Sequence, residues 1–115
     1  MKQSEIWLIN LDPTIGAEIK KTRPAIVVND NSLGKLPLKI IVPLTDWKER
    51  YKIAPWMVYI KPDTLNNLSK ESAVDCFQIR SISEERFIKR IGRISSSNLE
   101  EIKDALSKVL TIENY

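Results

Sequence analysis

Six short apolar runs, separated by turn-forming residues, most constrain the fold of this chain. They are rich in Ile, Val and aromatic residues and occupy 5–10, 24–29, 39–44, 56–60, 73–80 and 87–94. Runs of this length are typical of β-strands in a small all-β domain. Pro43 lies inside the third run and predicts a strand end or an edge position there. At 115 residues the chain has room for one modest core, so we expect a single domain over 1–115.

The C-terminal segment carries the only strong helical pattern. Ser97 followed by Glu100 fits a capping box. Apolar residues then recur at helical spacing on one face, opposite a charged face of Glu101, Lys103, Asp104 and Lys108; the apolar set is Leu99, Ile102, Leu106, Val109 and Leu110. The sequence therefore predicts a mainly β fold closed by one C-terminal amphipathic α-helix.

Composition excludes several classes of function. The chain has no histidine and one cysteine, Cys76, so a His- or Cys-based metal site and an internal disulfide are excluded. We expect Cys76 to be a small buried hydrophobe. No apolar run reaches the ~20 residues of a membrane span, and the N-terminus lacks a secretory signal, so a cytoplasmic location is expected. A net charge of +3 permits an anionic partner without requiring one.

An ordered series of motifs carries a family resemblance. "EIWLINLDPTIGAEIKKTRPAIVV" is followed by "IIVPLT" and "CFQIRSIS". This series resembles the MazF/PemK toxin family of bacterial endoribonucleases, nearly from end to end. The resemblance implies a small SH3-like β-barrel of short antiparallel strands with a C-terminal helix. It also implies a homodimer that cleaves single-stranded RNA at short preferred sequences, needs no metal or other cofactor, and is inhibited by a cognate antitoxin.

The resemblance implies three catalytic residues. Arg23 is permanently charged and offers a planar fork of donors to phosphate oxygens, and Pro24 restricts it to an extended conformation at the start of a strand. Thr45 ends "IIVPLT" and offers a hydroxyl to the scissile phosphate. Glu18 corresponds to a glutamate that matters for activity in the family. Attack by the RNA's own 2′-hydroxyl needs a base, a proton donor and positive charge at the phosphate.

Further residues are candidate RNA ligands: Lys20, Lys21, Trp47, Lys48, Arg50, Gln78 and Arg80. Trp47 and its cationic neighbours combine rings with charge, as single-strand binding sites do. Gln78 and Arg80 would share one face of a strand over 73–80. Trp56, at the start of an apolar strand, is predicted to lie in the core.

One position departs from the family pattern. Some relatives place an acid–base aspartate directly before the corresponding glutamine, where this chain has Phe77. Asp75 lies two residues earlier and would face the same side as Phe77 in a strand. The general base and acid therefore stay open. So do two other functions, a topoisomerase-poisoning toxin of the same barrel type and a non-catalytic SH3-like binding module, because the fold alone does not separate them.

Overall fold

Seven strands and one α-helix make up the regular structure of the residues described. The computed structural model describes residues 1–33 and 35–113. The elements are β1 (Glu5–Asn10), β2 (Thr22–Val27), β3 (Leu38–Asp46), β4 (Met57–Ile60), β5 (Ser72–Asp75), β6 (Arg80–Ser83), β7 (Phe87–Arg93) and α1 (Ser96–Leu110). Short 3₁₀ turns at 31–33, 49–53, 76–78 and 84–86 connect them.

All strand pairs are antiparallel, in the order β4-β5-β3-β2-β1-β7, with β6 beside β3. The mainly β fold with one C-terminal helix is confirmed. The hydrogen-bonded sheet is not closed, because β4 and β7 lie at its two ends and do not pair with each other among the residues described.

Strand β3 is the hub of the sheet and changes partners along its length. Residues 38–41 pair with β6, 41–43 pair with β2, and 44–46 pair with β5. Pro43 lies inside this strand, paired with Ala25 and fully buried, so the prediction of a strand end or edge was wrong. Proline has no N–H to donate to a ladder, which normally excludes it from a central strand. Pro43 is tolerated because it lies between the ladder to β6, which ends at Ile41, and the ladder to β5, which begins at Leu44.

The predicted strand over 73–80 is wrong as a single element. It breaks at Asp75 into the 3₁₀ turn Cys76–Gln78, and a separate strand, β6, begins at Arg80. Asp75 accepts a hydrogen bond from the Phe77 N–H at 3.1 Å, which stabilises the turn. A strand would place the side chains of Asp75 and Phe77 on the same face. Asp75 is buried and Phe77 is 67% exposed, so they do not lie on one face.

Apolar side chains fill both faces of the central strands, which explains why β2 and β3 have nearly continuous apolar sequences. One cluster centres on Ile6, Ile26 and Val42, and α1 covers it with Ile102 and Ala105. The other cluster comprises Ile9, Leu11, Ala25, Val27, Ile41 and Ile82. A strand buried on both faces has no polar residues in alternation.

The helix begins two residues earlier than the capping box predicted. Ser95, not Ser97, is the N-cap, and its hydroxyl accepts from the Asn98 N–H at 3.2 Å. The predicted apolar face is confirmed at Ile102, but Leu110 is 55% exposed in the last turn. In the described part of the chain, no helix is long and apolar enough to cross a membrane.

Candidate functional site

Arg23 and Thr45 lie on opposite sides of one cleft, and the strand register explains why. Ala25 of β2 pairs with Pro43 of β3, and continuing that antiparallel register by two residues sets Arg23 opposite Thr45. The β2–β3 pairs end at Ala25 and Pro43, and from Leu44 onward β3 pairs with β5 along its other edge. The separation of the two strands opens a cleft of about 320 Å³.

The guanidinium of Arg23 makes little use of its donors within the protein. The side chain is half-buried, and Nε donates to the Lys20 carbonyl at 3.4 Å. No carboxylate pairs with it in the described part of the chain. The prediction that Arg23 is extended is confirmed by its place in β2. A supported guanidinium with free Nη donors can bind a phosphate in two-pronged geometry.

A polar segment before β5 completes the rim of this cleft. Leu68, Ser69, Lys70 and Ser72 line it together with the Arg23 side. Lys70 pairs with Asp46 at 2.9 Å, and both side chains are more than half exposed. Sequence reasoning missed this segment, although "LSKES" carries the hydroxyl and ammonium groups that phosphate-binding loops use.

Glu18 lies in a neighbouring cleft and does not line the one shared by Arg23 and Thr45. This second cleft, of about 450 Å³, is lined by Glu18, Gln78 and Arg80 among others. Successive residues of β3 line the two clefts, Leu44 the first and Pro43 the second. The Glu18 carboxylate accepts from the Ile15 N–H at 2.6 Å. The three residues predicted to be catalytic are therefore distributed over two adjoining clefts.

The loop that carries Glu18 is fixed at its base. The Asp12 carboxylate accepts from the Lys21 N–H at 3.0 Å, and the Leu11 N–H donates to the Lys21 carbonyl at 2.9 Å. Lys21 holds a left-handed backbone with φ of +69°, which is unusual for a residue with a side chain. The ammonium groups of Lys20 and Lys21 form no ion pair among the residues described, so both are free to meet an anion.

Gln78 and Arg80, both predicted to bind RNA, are engaged with the protein itself. The Gln78 side chain accepts from the Ile19 N–H at 2.6 Å and donates to the Asp75 carboxylate at 3.1 Å and the Ala17 carbonyl at 3.4 Å. Arg80 Nη1 donates to the Leu11 carbonyl at 3.2 Å. Their RNA-binding role stays a prediction.

Burial raises the pKa of two neighbouring groups, Asp75 at the end of β5 and Cys76 in the turn that follows. Desolvation raises the pKa of Asp75, opposed by hydrogen bonds from the Phe77 N–H and from Gln78. Cys76 is fully buried, as predicted, and desolvation together with the Asp75 charge raises its pKa to about 12. A thiol in that state is a poor nucleophile.

The predicted stacking residue Trp47 is half-buried in an aromatic cluster. Its ring lies 5.0 Å from Tyr59 and 5.9 Å from Tyr51, edge to face in both cases. Arg50 covers the Tyr51 ring at 5.4 Å from its centroid, and Lys48 is exposed. These three predicted RNA ligands lie together in the segment after β3, but Trp47 is engaged with two tyrosine rings and is less exposed than Trp56.

Trp56 was predicted to be a core residue, and that prediction was wrong. Its ring is 38% exposed and lies 6.1 Å from the ring of Phe77, edge to face. The cause is local, because β4 begins only at Met57 and Trp56 occupies the preceding turn. With Asp75 and Gln78 the two rings line a further cleft, which shares Phe77 and Gln78 with the cleft of Glu18.

Within residues 1–33 and 35–113, no group of three or more His, Cys, Asp or Glu side chains is placed to hold a metal ion. The clefts of Arg23 and of Glu18 instead combine guanidinium, hydroxyl and ammonium groups with two exposed carboxylates, Asp46 and Glu18. These groups can bind an anion, stabilise developing negative charge and exchange a proton.

Comparisons with known proteins agree with this arrangement. A family profile described as "PemK-like, MazF-like toxin of type II toxin-antitoxin system" matches residues 2–110. Endoribonuclease MazF9 of Mycobacterium tuberculosis is 32% identical over 112 residues, which is 92% of each chain. Endoribonuclease PemK of Escherichia coli is 31% identical over 113 residues, covering 96% of this chain and 83% of PemK.

Solved structures show the same fold. MazF from Deinococcus radiodurans superposes with a TM-score of 0.81 at 21% identity, covering 97% of both chains. A mycobacterial endoribonuclease, solved in complex with its cognate antitoxin, gives 0.79 at 16% identity over 100% of this chain and 99% of that one. Since the profile spans nearly the whole sequence, the chain belongs to the PemK-like, MazF-like family of toxins from type II toxin–antitoxin systems.

Proposed function

We propose that this protein is a toxin endoribonuclease that cleaves single-stranded RNA by metal-independent attack of the 2′-hydroxyl. One observation carries the proposal: Arg23 and Thr45 line one cleft just beyond the last β2–β3 pair, and no carboxylate pairs with Arg23 in the described structure. Relatives more than 30% identical over nearly the whole chain are named endoribonucleases.

The cleft supports a division of roles around the scissile phosphate. Arg23 binds the nonbridging oxygens and stabilises the charge that builds up as the phosphorus becomes pentacoordinate. Thr45 donates a hydrogen bond to the same phosphate. We assign acceptance of the 2′-hydroxyl proton to Glu18, an exposed carboxylate of the second cleft. The leaving 5′-oxygen takes its proton from water, since the chain has no histidine and the Arg23 guanidinium keeps its charge.

The RNA strand runs over the exposed cations around this cleft. Lys20 and Lys21 lie on the loop before β2, and Lys48 and Arg50 lie beyond the end of β3. Of these cations, Lys21 lines the cleft of Arg23 and Thr45 itself. Contacts of this kind give an affinity that falls as salt rises, by about 0.7 log units per phosphate contact for each log unit of salt.

The proposal extends to partners and place. A cognate antitoxin would inhibit the protein by covering the cationic clefts, as a mycobacterial relative has been solved with its own antitoxin. A homodimer would join two such clefts into a longer RNA groove. We place the protein in the cytoplasm, where its RNA substrate is. Sedimentation at micromolar concentration should give twice the 13.2 kDa monomer mass, and a cleaving monomer would refute the dimer.

The decisive experiment incubates the purified protein with a long single-stranded RNA in excess EDTA and maps the ends of the products. We expect cleavage to persist and to leave 2′,3′-cyclic phosphate and 5′-hydroxyl ends. Arg23→Ala should slow cleavage about a hundredfold to a thousandfold, the usual loss for one transition-state donor. Lys20→Ala, a matched loss of charge on the neighbouring loop, should mainly weaken binding. Activity that returns only with added magnesium would overturn the mechanism.

A further inference from the structure

The Gln78 side chain has three protein partners that together fix its orientation. The Ile19 N–H is a donor, so the amide oxygen must face it, at 2.6 Å. The Asp75 carboxylate and the Ala17 carbonyl are acceptors, at 3.1 Å and 3.4 Å, so the amide nitrogen must face them. No flipped amide satisfies these partners, and both of its N–H groups are used.

The two loop residues that Gln78 contacts lie on either side of Glu18. Ala17 contributes its carbonyl and Ile19 its N–H, so the glutamate backbone is held at both neighbouring positions. Gln78 lies 59 residues beyond Ile19 in sequence, in the 3₁₀ turn between β5 and β6. The contact therefore joins the loop to the sheet close to the cleft that Glu18 lines.

Asp75 orients the Gln78 amide by accepting a hydrogen bond from its nitrogen. It is 6% exposed, and its two carboxylate oxygens are divided between the Phe77 N–H at 3.1 Å and the Gln78 amide at 3.1 Å. The first contact fixes the turn, and the second fixes which end of the amide points at the loop. A buried carboxylate that makes both contacts is rigidly held.

We propose that Asp75 and Gln78 form a latch that positions Glu18 for RNA cleavage, and that Gln78 acts through the loop and not as a reader of RNA bases. Asp75 and Gln78 are positioning residues, since neither needs to touch the substrate. The proposal rests on the catalytic role proposed for Glu18, and the loop can be tested without any RNA.

The chemistry of the pair allows a reciprocal test. In Asp75→Asn the one remaining side-chain oxygen accepts from the Phe77 N–H, and the new NH₂ group faces the Gln78 amide. Gln78 then either keeps its NH₂ group against this second donor, or flips and turns its NH₂ group toward the Ile19 N–H. In Gln78→Glu the amide donor is lost and two carboxylates face each other. In the double variant Asp75→Asn/Gln78→Glu, the carboxylate at position 78 accepts from the Ile19 N–H and from the amide at position 75. The contacts between the loop, position 78 and position 75 are thereby restored, except the 3.4 Å contact to the Ala17 carbonyl.

The first readout is hydrogen exchange of the Ile19 amide in the free protein. Each single variant should accelerate that exchange about tenfold, the scale of one lost hydrogen bond to a charged network, and the double variant should recover most of it. Gln3→Glu is the matched control. It removes an amide donor to the Val28 carbonyl at 2.9 Å, away from the loop, and should leave Ile19 exchange unchanged.

The second readout is cleavage of a single-stranded RNA in EDTA. We expect kcat to fall about tenfold or more in the single variants with KM nearly constant, because the interaction lost is one of position. The double variant should regain kcat. Unchanged Ile19 exchange in both single variants would refute the latch, as would faster exchange without loss of kcat. If one variant does not fold, the other single variant and Gln78→Leu carry the same test.

Failure of the two proposals can be told apart. A parent protein that does not cleave RNA in EDTA refutes the proposed function, while the exchange data still decide whether the pair holds the loop. A parent that cleaves, together with variants that cleave equally well, refutes only the positioning role.

Discussion

Gly92→Ala is predicted to destabilise the protein strongly, because β7 has no space for a methyl group at this position. A Cβ on Gly92 would lie 2.6 Å from the Asn66 carbonyl oxygen, 2.7 Å from the Leu65 carbonyl oxygen and 2.8 Å from the Asn66 carbonyl carbon. All three are backbone atoms, so no side chain can rotate away. Reaching an ordinary contact of 3.4 Å requires the turn to move by about 0.8 Å.

The turn resists that movement. The buried Asn66 side chain accepts from the N–H groups of Asp63 and Leu68, each at 3.0 Å, and donates to the Lys61 carbonyl at 2.9 Å. Overpacking against fixed groups costs about 1–3 kcal/mol, and three backbone contacts put this case near ~3 kcal/mol. At ~4 °C per kcal/mol for a domain of this size, the melting temperature should fall by about 12 °C.

The substitution also has a functional consequence. Leu68, which Asn66 holds in place, lines the cleft of Arg23 and Thr45. Displacement of the turn should therefore reduce RNA cleavage even at temperatures where the variant is folded.

Thermal melting by circular dichroism measures the stability effect, and Gly16→Ala is the matched control. Gly16 has φ of +61°, and nothing lies within 4 Å of the place that an added methyl group would take. Alanine there should therefore lower the free energy of unfolding only by the cost of a left-handed backbone, about 1 kcal/mol. A Gly92→Ala protein that melts within 2 °C of the parent, or above Gly16→Ala, would show that the reasoning from close contacts is wrong.

Three further predictions concern single side chains. Arg23→Lys keeps the charge but loses the planar fork, so it should recover little of the cleavage rate lost in Arg23→Ala, and a rate within about threefold of the parent would contradict the bidentate role. Ser95→Ala should lower the free energy of unfolding by about 1 kcal/mol in urea titration while Ser97→Ala has little effect, since Ser95 is the N-cap of α1; equal effects would contradict the cap. Cys76, with its pKa raised to about 12, should react with iodoacetamide at pH 8 about a thousandfold more slowly in the native protein than in denaturant, and rapid native alkylation would contradict its burial.

The sequence predicted the strands well where burial alone decides structure. β1 matches its apolar run at both ends, and β2, β3, β4 and β7 begin or end within two residues of theirs. Central strands buried on both faces leave a continuous apolar pattern that needs no tertiary information. The prediction failed at Pro43 and over 73–80, where the outcome depends on which strand lies alongside.

The site likewise has residues that local sequence indicates and residues that depend on which strands lie alongside. Arg23 and Thr45 follow from two strand ends and were found by motif, and they line one cleft. Lys70 and Ser72 line that cleft because β5, distant in sequence, pairs with the end of β3, and the hydroxyl and ammonium groups of "LSKES" do not by themselves indicate that pairing. The exposure of Trp56 depends on where β4 begins, which apolarity does not specify.

The placement of Glu18 depends least on its own sequence neighbourhood. Arg23 and Thr45 are held by β2 and β3, so their separation is set by the sheet. Glu18 is on a loop that is fixed at its base by backbone contacts of Lys21, and the Gln78 amide, which donates to a buried carboxylate, joins this loop to the turn after β5. If Glu18 has the proposed role, loss of the Gln78 contact can displace its carboxylate without unfolding the sheet, whereas Arg23 is part of β2. We therefore expect variants of the latch to lose cleavage before they lose RNA binding or stability, and variants of β2 and β3 to lose all three together.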